Sequence, residues 1–152
     1  EKHEEIIMAE YIPSTSDWVA KQVELYEGSH GAEGTTLLET GMPVIIVTNK
    51  GRKTGAVRKT PLMRAKDGDN YILVASRGGA PQHPVWYHNL KSDPKVEIRD
   101  EAVVQSMRVR EIDDPVEKKR LWDIAVAAYP PYQDYQDKTD RSIPVFIAEA
   151  TG

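Results

Sequence analysis

The sequence predicts an α+β, mostly β fold, an antiparallel barrel with helices at its margins. Five or six short segments are β-branched or alternate between apolar and polar residues, as in residues 43–48 (PVIIVT), and such segments are typical of strands. A strong hairpin signal, residues 67–70 (DGDN), separates two of them. The helical segments fall at the margins of the strands, so the chain lacks the strand–helix alternation of a parallel sheet.

Each strand is placed by its own pattern and by the turn residues around it. The strands are predicted at residues 43–48, 57–66, 71–76, 95–99, 103–109 and 143–148. Residues 29–41 are rich in Gly, Thr and Glu and are predicted to form a loop or lid. Residues 130–141 (PPYQDYQDKTDR) are predicted to form a second loop, which leads into the last strand.

Three helices are predicted from apolar spacing and capping residues. The first follows N-cap candidates at residues 14–16, ends at Gly28 and carries an apolar face, made by Trp18, Val19, Val23 and Tyr26. A short helix is expected at about residues 84–90. The third begins at Asp114, where Pro115 and Glu117 complete the pattern of an N-cap, a first-turn proline and a capping-box acid, and runs to about Tyr129.

Composition narrows the class of protein. A chain of 152 residues fits one domain, with residues 1–41 forming an N-terminal extension and helix ahead of a barrel domain at residues 42–152. The net charge of −4 argues against nucleic acid as a partner. Cysteine is absent, which excludes disulfides, thiolate nucleophiles and cysteine-based zinc sites. With no signal-peptide pattern and no long apolar run, we expect a cytoplasmic protein.

A basic, glycine-flanked turn is the first candidate site. Residues 51–55 (GRKTG) and the nearby Arg58 place three cations on or beside a turn. Glycine lets a backbone approach an anion closely, and Arg can bind phosphate or carboxylate with two hydrogen bonds. The turn therefore predicts an anion-binding site, although a solvated basic hairpin explains the same residues equally well.

A second glycine-bearing turn, residues 75–79 (ASRGG), follows a predicted strand and precedes a predicted helix. Such a turn directs backbone N–H groups and a positive helix end toward one point, which suits a phosphate. Alone, a plain connection is the simpler interpretation. The presence of two basic, glycine-bearing turns in one chain favours the functional one.

Aromatic residues supply candidates for a ring-binding wall and for proton donation. Trp86 and Tyr87 are consecutive on a short helix, so they cannot share one face, and one of them could line a flat ring. Tyr129, Tyr132 and Tyr135 recur every third residue, and their phenols could donate to a reacting oxygen. A packing stripe is the alternative. The histidines lack metal-ligand spacing, so no metal site is predicted.

Taken together, these motifs resemble those of the deazaflavin-dependent nitroreductases and quinone reductases, actinobacterial enzymes that use coenzyme F420. The resemblance rests on GRKTG with Arg58 and Pro61, on ASRGGAPQHPVWYHNL, on YPPYQDYQ and on TDRSIP, in that order along the chain. It covers roughly residue 42 to the carboxyl end, and the agreement of several separate motifs is more specific than any one.

The resemblance implies a split β-barrel with flanking helices, like FMN-binding proteins, that holds the deazaflavin cofactor in a cleft. It implies hydride transfer from reduced coenzyme F420 to a quinone, nitroaromatic or enone acceptor. By position, the cofactor-binding residues would be Arg52, Lys53, Thr54, Arg58, Lys59, Thr60, Pro61, Ala75, Ser76, Arg77, Gly78, Gly79, Val85, Trp86 and Tyr132. The catalytic residues near the reacting ring would be Ser76, Tyr129, Tyr132 and Tyr135.

Two rival functions fit the same residues. An FMN-dependent split-barrel oxidoreductase needs the same anion-binding turns, and a non-catalytic deazaflavin-binding protein or carrier needs no proton donor. The resemblance also allows a homodimer and, through the family's association with menaquinone chemistry, a peripheral membrane contact.

Overall fold

The structure is a computed structural model that describes residues 10–37 and 40–151. These residues form four α-helices, one 3₁₀ turn and seven strands. The helices are α1 (Asp17–Gly28), α2 (Val85–Ser92), α3 (Pro115–Ala128) and α4 (Pro131–Lys138), and the 3₁₀ turn is Arg77–Gly79. The strands are β1 (Val44–Lys50), β2 (Val57–Met63), β3 (Lys66–Asp67), β4 (Asn70–Val74), β5 (Lys95–Asp100), β6 (Val103–Glu111) and β7 (Val145–Ala150).

The strands form one antiparallel sheet in the order β2-β1-β5-β6-β7-β4-β3. The two outer strands, β2 and β3, are consecutive in the chain and are separated by Arg64 and Ala65 alone. The Arg64 N–H donates to the Pro43 carbonyl (3.0 Å), and the Ala65 carbonyl accepts from the Ile72 N–H (2.8 Å). The sheet therefore curls until its edges approach each other, which confirms the predicted split β-barrel.

The sheet buries apolar side chains on both faces because its strands alternate. One cluster contains Ile45, Leu73 and Phe146 and packs under α2 through Leu90. The opposite cluster packs beneath α1, α3 and α4 and contains Ile46, Ile72, Val145, Ile147, Val23, Leu121 and Tyr132. Complete burial of one such side chain contributes roughly 1.5–3 kcal/mol. Helices α1, α3 and α4 thus cover one face of the sheet and α2 covers the other, and this burial stabilises the barrel.

Helix α1 matches its predicted bounds, but only part of its predicted apolar face is buried. Val23 and Tyr26 are buried, whereas Trp18 is 49% exposed. The Tyr26 hydroxyl donates to the Val44 carbonyl (3.0 Å) and accepts from the Glu101 N–H (2.6 Å). These two bonds hold the carboxyl half of α1 on the sheet and leave its amino half over a cavity.

The helix-start pattern at Asp114 is confirmed in part. The Asp114 carboxylate accepts from the Glu117 N–H (2.9 Å), as an N-cap should. The Glu117 side chain pairs with Arg120 (2.8 Å) instead of reaching back to the cap. The reciprocal half of the capping box is therefore replaced by an i, i+3 ion pair on α3.

The loop predicted for residues 130–141 is wrong, because residues 131–138 form α4. Prolines at the first helical positions are compatible with a helix start, and the helix buries Tyr132 against the sheet. The other residues of α4 are mostly polar and exposed, so no apolar periodicity predicted this helix. Tertiary burial of one tyrosine, which the local sequence does not reveal, stabilises this helix.

Within the described residues, no helix combines the length and the apolar character needed to cross a membrane.

Candidate active site

A cavity of about 780 Å³ lies between the amino half of α1, strand β2, the Arg77–Gly79 turn, α2 and the tyrosines of α4. Several of the residues predicted to bind a cofactor or to act in catalysis line it: Arg58, Lys59, Thr60, Pro61, Ser76, Arg77, Gly78, Val85, Trp86, Tyr129, Tyr132 and Tyr135. Its volume lies within the range of small-molecule sites. Segments far apart in sequence are therefore brought to one concave surface.

Strand β2 forms one wall because it is an edge strand. One side pairs with β1, and near its start the other side meets the chain before α1, where the Ile12 N–H donates to the Val57 carbonyl (3.0 Å). The Arg58 guanidinium donates to the Ile12 carbonyl (3.2 Å) and also lines the cavity. Lys59 lines it too, but its ammonium is paired with Glu27 (2.7 Å). Arg58 is thus the less compensated of these two cations.

The basic turn of residues 51–55 lies beside the cavity rather than in it. Arg52, Lys53 and Thr54 are exposed and are not among the lining residues. The Arg52 N–H donates to the Asn89 side-chain oxygen (3.0 Å), and Asn89 does line the cavity. The turn is therefore held next to the site by its backbone, with its cations free to face a ligand that extends out of the cavity.

The turn after β4 has the conformation of an anion-binding nest, which we call the Ser76–Gly78 nest. Ser76 is right-handed helical (φ −80°, ψ −37°), whereas Arg77 and Gly78 have left-handed φ values of 46° and 62°. Successive residues of opposite hand direct their N–H groups toward one point. The N–H groups of these three residues have no acceptor within residues 10–37 and 40–151, and all three residues line the cavity.

Ala75 and Gly79, which flank the nest, support it and do not line the cavity. The Ala75 N–H donates to the Pro144 carbonyl (3.0 Å), and the Gly79 N–H to the Ser76 carbonyl (2.9 Å). Gly79 has a φ of 81°, and a Cβ added there would lie 2.8 Å from the Tyr135 carbonyl oxygen. Glycine is required at residue 79, because only a residue without a side chain lets the turn approach α4 this closely.

The three predicted tyrosines meet on the opposite side of the cavity. The hydroxyls of Tyr129 and Tyr135 are hydrogen-bonded to each other at 2.9 Å, and the rings of Tyr129 and Tyr132 pack edge to face at 4.9 Å. Burial, together with the hydrogen bond that Tyr129 shares with Tyr135, raises the pKa of Tyr129 to about 12. Burial also raises the pKa of Tyr132, which is 5% exposed. Tyr129 and Tyr132 are therefore neutral at physiological pH and remain proton donors.

The two aromatic residues of α2 divide their roles. Trp86 lines the cavity, beside the 72% exposed Val85. Tyr87 instead packs against Phe146 at 5.6 Å, and its hydroxyl donates to Glu111 (2.9 Å). Trp86 is therefore the aromatic residue available to a flat ring, a choice that residue spacing alone leaves open.

Sequence reasoning assigned no site residue to the amino-terminal segment, which forms a wall of the cavity. The additional lining residues there are Ile12, Ser14, Thr15, Trp18, Val19 and Leu37. The apolar Trp18 is the one sequence signal that could have suggested this wall. It was assigned to the core instead, because its spacing fits the apolar face of a helix. Asn89, in the middle of α2, was also missed. No group of three potential metal ligands occurs in the described part of the chain.

Comparison with known proteins identifies the family. The model of the F420H(2)-dependent quinone reductase family matches residues 18–150. The chain belongs to the F420H(2)-dependent quinone reductase family. This confirms the resemblance that the motifs indicated, and it makes the chain a member of an oxidoreductase family.

Proteins named as F420-dependent reductases are similar to this chain over most of its length, in agreement with the F420H(2)-dependent quinone reductase family. An F420H(2)-dependent quinone reductase of Mycobacterium tuberculosis is 37% identical over 126 residues, 81% of this chain and 83% of the relative. A solved structure of an F420-H2 dependent reductase is 46% identical, with a TM-score of 0.66 over 70% of this chain and 94% of that chain. Another, described as a domain-swapped dimer, is 42% identical, with a TM-score of 0.69 over 90% of this chain and all (100%) of that chain.

Proposed function

We propose that this chain binds reduced coenzyme F420 in the cavity and passes hydride from it to a quinone, with nitroaromatics and enones as further acceptors. The observation that carries the proposal is the meeting of the Ser76–Gly78 nest and the Tyr129–Tyr135 pair across one cavity. The nest offers donors for an anion, and the tyrosines offer phenol hydroxyls to an acceptor. The name and relatives of the family support the choice of cofactor and of quinone.

The residues present fit this cofactor by their chemistry. Coenzyme F420 carries a flat deazaflavin, a phosphodiester and an oligoglutamate tail. The three free N–H groups of the nest suit a phosphate, and Arg58 and Arg77 add positive charge at the cavity. The exposed Arg52 and Lys53 lie beside it, where the carboxylates of a protruding tail would meet them. Trp86 and Pro61, which line the cavity, would hold the flat ring.

When bound, the cofactor supplies the hydride. The protein positions the acceptor and manages the proton. We assign the donor role to the tyrosine cluster: a phenol of Tyr129 or Tyr135 donates to the oxygen of the acceptor as negative charge develops on it. Because these two hydroxyls share a hydrogen bond, one can replenish the proton that the other donates. Ser76, 8% exposed and at the cavity surface, is the second candidate donor.

The apolar part of the lining has a separate role. Leu62, Met63 and Trp86 on one side and Trp18 and Val19 on α1 border the space next to the tyrosines. Apolar walls exclude water and strengthen the hydrogen bonds made inside the site. They also suit the hydrophobic body of a quinone.

Substitution of all three tyrosines by phenylalanine tests the proton-donor role. The triple variant should lose turnover with a quinone by about 10²–10⁴-fold, the usual size of a general-acid contribution, while its dissociation constant for coenzyme F420 stays nearly unchanged. Tyr11→Phe is the matched control, because Tyr11 is 36% exposed and outside the cavity lining. Undiminished turnover in the triple variant would exclude the tyrosines as donors.

Fluorescence titration with coenzyme F420 and with FMN separates the cofactor alternatives. We expect saturable binding of the deazaflavin at concentrations at which FMN does not bind, because the family and the relatives of this chain are named for F420. Steady oxidation of the reduced cofactor by a quinone analogue would exclude a non-catalytic carrier. A panel of quinone, nitroaromatic and enone acceptors then ranks the substrates.

A homodimer is also proposed. The relative described as a domain-swapped dimer supports it, and light scattering behind size-exclusion chromatography tests it. The peripheral membrane contact expected from the sequence stays a prediction, to be tested by sedimentation with lipid vesicles.

A further inference from the structure

We propose that Arg141 is a positioning residue that holds the Ser76–Gly78 nest in the conformation that binds an anionic oxygen. The inference rests on the proposed function for the identity of that anion, the phosphodiester of the cofactor. Arg141 lies just before β7, outside the cavity lining. It acts from behind the nest.

The guanidinium of Arg141 is bound almost entirely by backbone oxygens of the nest and its flanks. Its Nη2 donates to the Ser76 carbonyl (2.7 Å), its Nη1 to the Ala75 carbonyl (3.1 Å) and its Nε to the Ala80 carbonyl (2.8 Å). Three carbonyls within six residues thus converge on one rigid, planar group. A guanidinium, with five N–H donors in fixed directions, suits this arrangement, and an ammonium cannot reproduce it.

The bonds to Ala75 and Ser76 set the direction of the free N–H groups. In a planar trans peptide the carbonyl and the following N–H point in opposite directions, and no cis peptide occurs in the described residues. When Arg141 holds the Ala75 and Ser76 carbonyls, the N–H groups of Ser76 and Arg77 point away from it. These are two of the three free donors of the nest.

No carboxylate among residues 10–37 and 40–151 compensates the charge of Arg141. Within the described residues it has no ion pair, and burial together with the nearby Arg77 lowers its pKa. A cation whose partners are all neutral polarises the carbonyls that it contacts and makes the N–H groups of the same peptides stronger donors. Arg141 therefore adds both geometry and positive potential to the nest.

His83 completes the coordination of Arg141. Its Nδ1 lies 2.9 Å from Nη1 of Arg141. Because a guanidinium can only donate, Nδ1 accepts, and the proton of the neutral imidazole is on Nε2. The ring is held by Tyr87, whose centroid lies 4.4 Å away.

The test uses Arg141→Gln and Arg141→Lys, with Arg110→Gln as the matched control. Arg110 is 61% exposed, is paired with Glu149 on the far strands and lies outside the cavity lining. Arg141→Lys retains the positive charge and is expected to fold, so the test can be carried out even if Arg141→Gln does not fold. The first measurement is amide hydrogen exchange in the protein without cofactor. Exchange at Gly79 and Ala80, whose N–H groups are bonded within the turn, should accelerate at least about tenfold in both Arg141 variants and not in the control.

The second measurement is titration with inorganic pyrophosphate, followed by the amide shifts of Ser76, Arg77 and Gly78. The native protein should show saturable shifts, and both variants should bind at least about tenfold more weakly, the equivalent of one charge-assisted hydrogen bond. The dissociation constant for coenzyme F420 should rise in parallel while the KM for the acceptor stays constant. Native affinity in Arg141→Lys would overturn the geometric role, since charge alone would then suffice.

The outcomes separate this inference from the proposed function. If pyrophosphate binds at the nest and depends on Arg141 but coenzyme F420 does not bind, the function fails and the nest stands. If coenzyme F420 binds with native affinity in both variants, the inference fails and the function stands. Unchanged exchange at Gly79 and Ala80 would also overturn the inference.

Discussion

Gly79 lies against the backbone of Tyr135, so closely that a Cβ on Gly79 would come within 2.8 Å of the Tyr135 carbonyl oxygen. Lys138, one turn later on α4, donates to the Gly78 carbonyl (3.0 Å). These contacts join the Ser76–Gly78 nest to the helix that carries two of the tyrosines. The donors for an anion and the donors for a proton are thus held in one unit of structure.

Gly79→Ala should destabilise the protein more than Gly68→Ala. Both glycines have positive φ, 81° and 63°, but a Cβ on Gly68 would meet nothing within 4 Å. Backbone strain alone costs roughly 1–2 kcal/mol, and overpacking against α4 adds about 1–3 kcal/mol at Gly79 only. Urea unfolding measures the difference. Equal losses in the two variants would contradict the close approach of the turn to α4.

Trp18→Ala should weaken acceptor binding without affecting the cofactor. Trp18 lines the cavity from α1 and is 49% exposed, so its removal takes apolar contact from the acceptor side. We expect the KM for a quinone to rise roughly three- to tenfold at a constant dissociation constant for coenzyme F420. Leu25→Ala, on the same helix, 47% exposed and outside the lining, is the control and should leave the KM unchanged. A constant KM in Trp18→Ala would place the acceptor elsewhere.

Arg52→Gln combined with Lys53→Gln should weaken binding of coenzyme F420 in proportion to the length of its glutamate tail. The two cations are exposed beside the cavity, so their attraction for the tail is screened by salt. We expect a loss of a few-fold at low salt, since exposed charge pairs are each worth less than about 1 kcal/mol, and a shallower salt dependence. Lys119→Gln, at a 73% exposed lysine on α3, is the control. Tail-independent losses would show that the turn does not meet the carboxylates.

Tyr132→Phe should reduce the loss of stability at alkaline pH. Burial raises the pKa of Tyr132 in the folded protein, whereas the unfolded chain releases this proton near its ordinary value of 10.0. The stabilisation is complete below pH 10 and disappears as the pH rises above it, because the unfolded state is then favoured by ionisation. Urea unfolding at about pH 9 and pH 11 should show a smaller decrease for the variant.

His83→Gln should reduce the loss of stability on the acid side. Burial and the adjacent Arg141 lower the pKa of His83 below 6.5 in the folded protein, with further contributions from His88, Glu111 and Lys118, of which only Glu111 opposes the shift. Below pH 6.5 the unfolded chain binds a proton that the native protein does not, so stability falls as the pH falls. Unfolding at about pH 7.5 and pH 5.5 measures this. His88→Gln, which removes only one contributor to the shift of His83, should change the pH dependence less than His83→Gln does.

Much of the fold was predictable from the sequence, because the strands have apolar or alternating residue patterns and glycine marks the turns between them. The DGDN hairpin joins β3 and β4 as expected, and the Asp114 cap starts α3. Helix α4 was not predictable, since its stabilisation comes from burying Tyr132 in a cluster built from distant segments. The pattern of neighbouring residues does not reveal such long-range contacts.

By itself, the sequence determined the chemistry that could be present: two basic, glycine-bearing turns, three spaced tyrosines, no thiol and the motifs of a family. Only the tertiary structure decided which of these groups face one another. It placed Arg58 and the nest in the cavity, left Arg52 and Lys53 outside it, and chose Trp86 over Tyr87 for the wall. The physical reason is that residue identity sets what a side chain can bind, whereas the curl of the sheet and the packing of α1 and α4 set where it points.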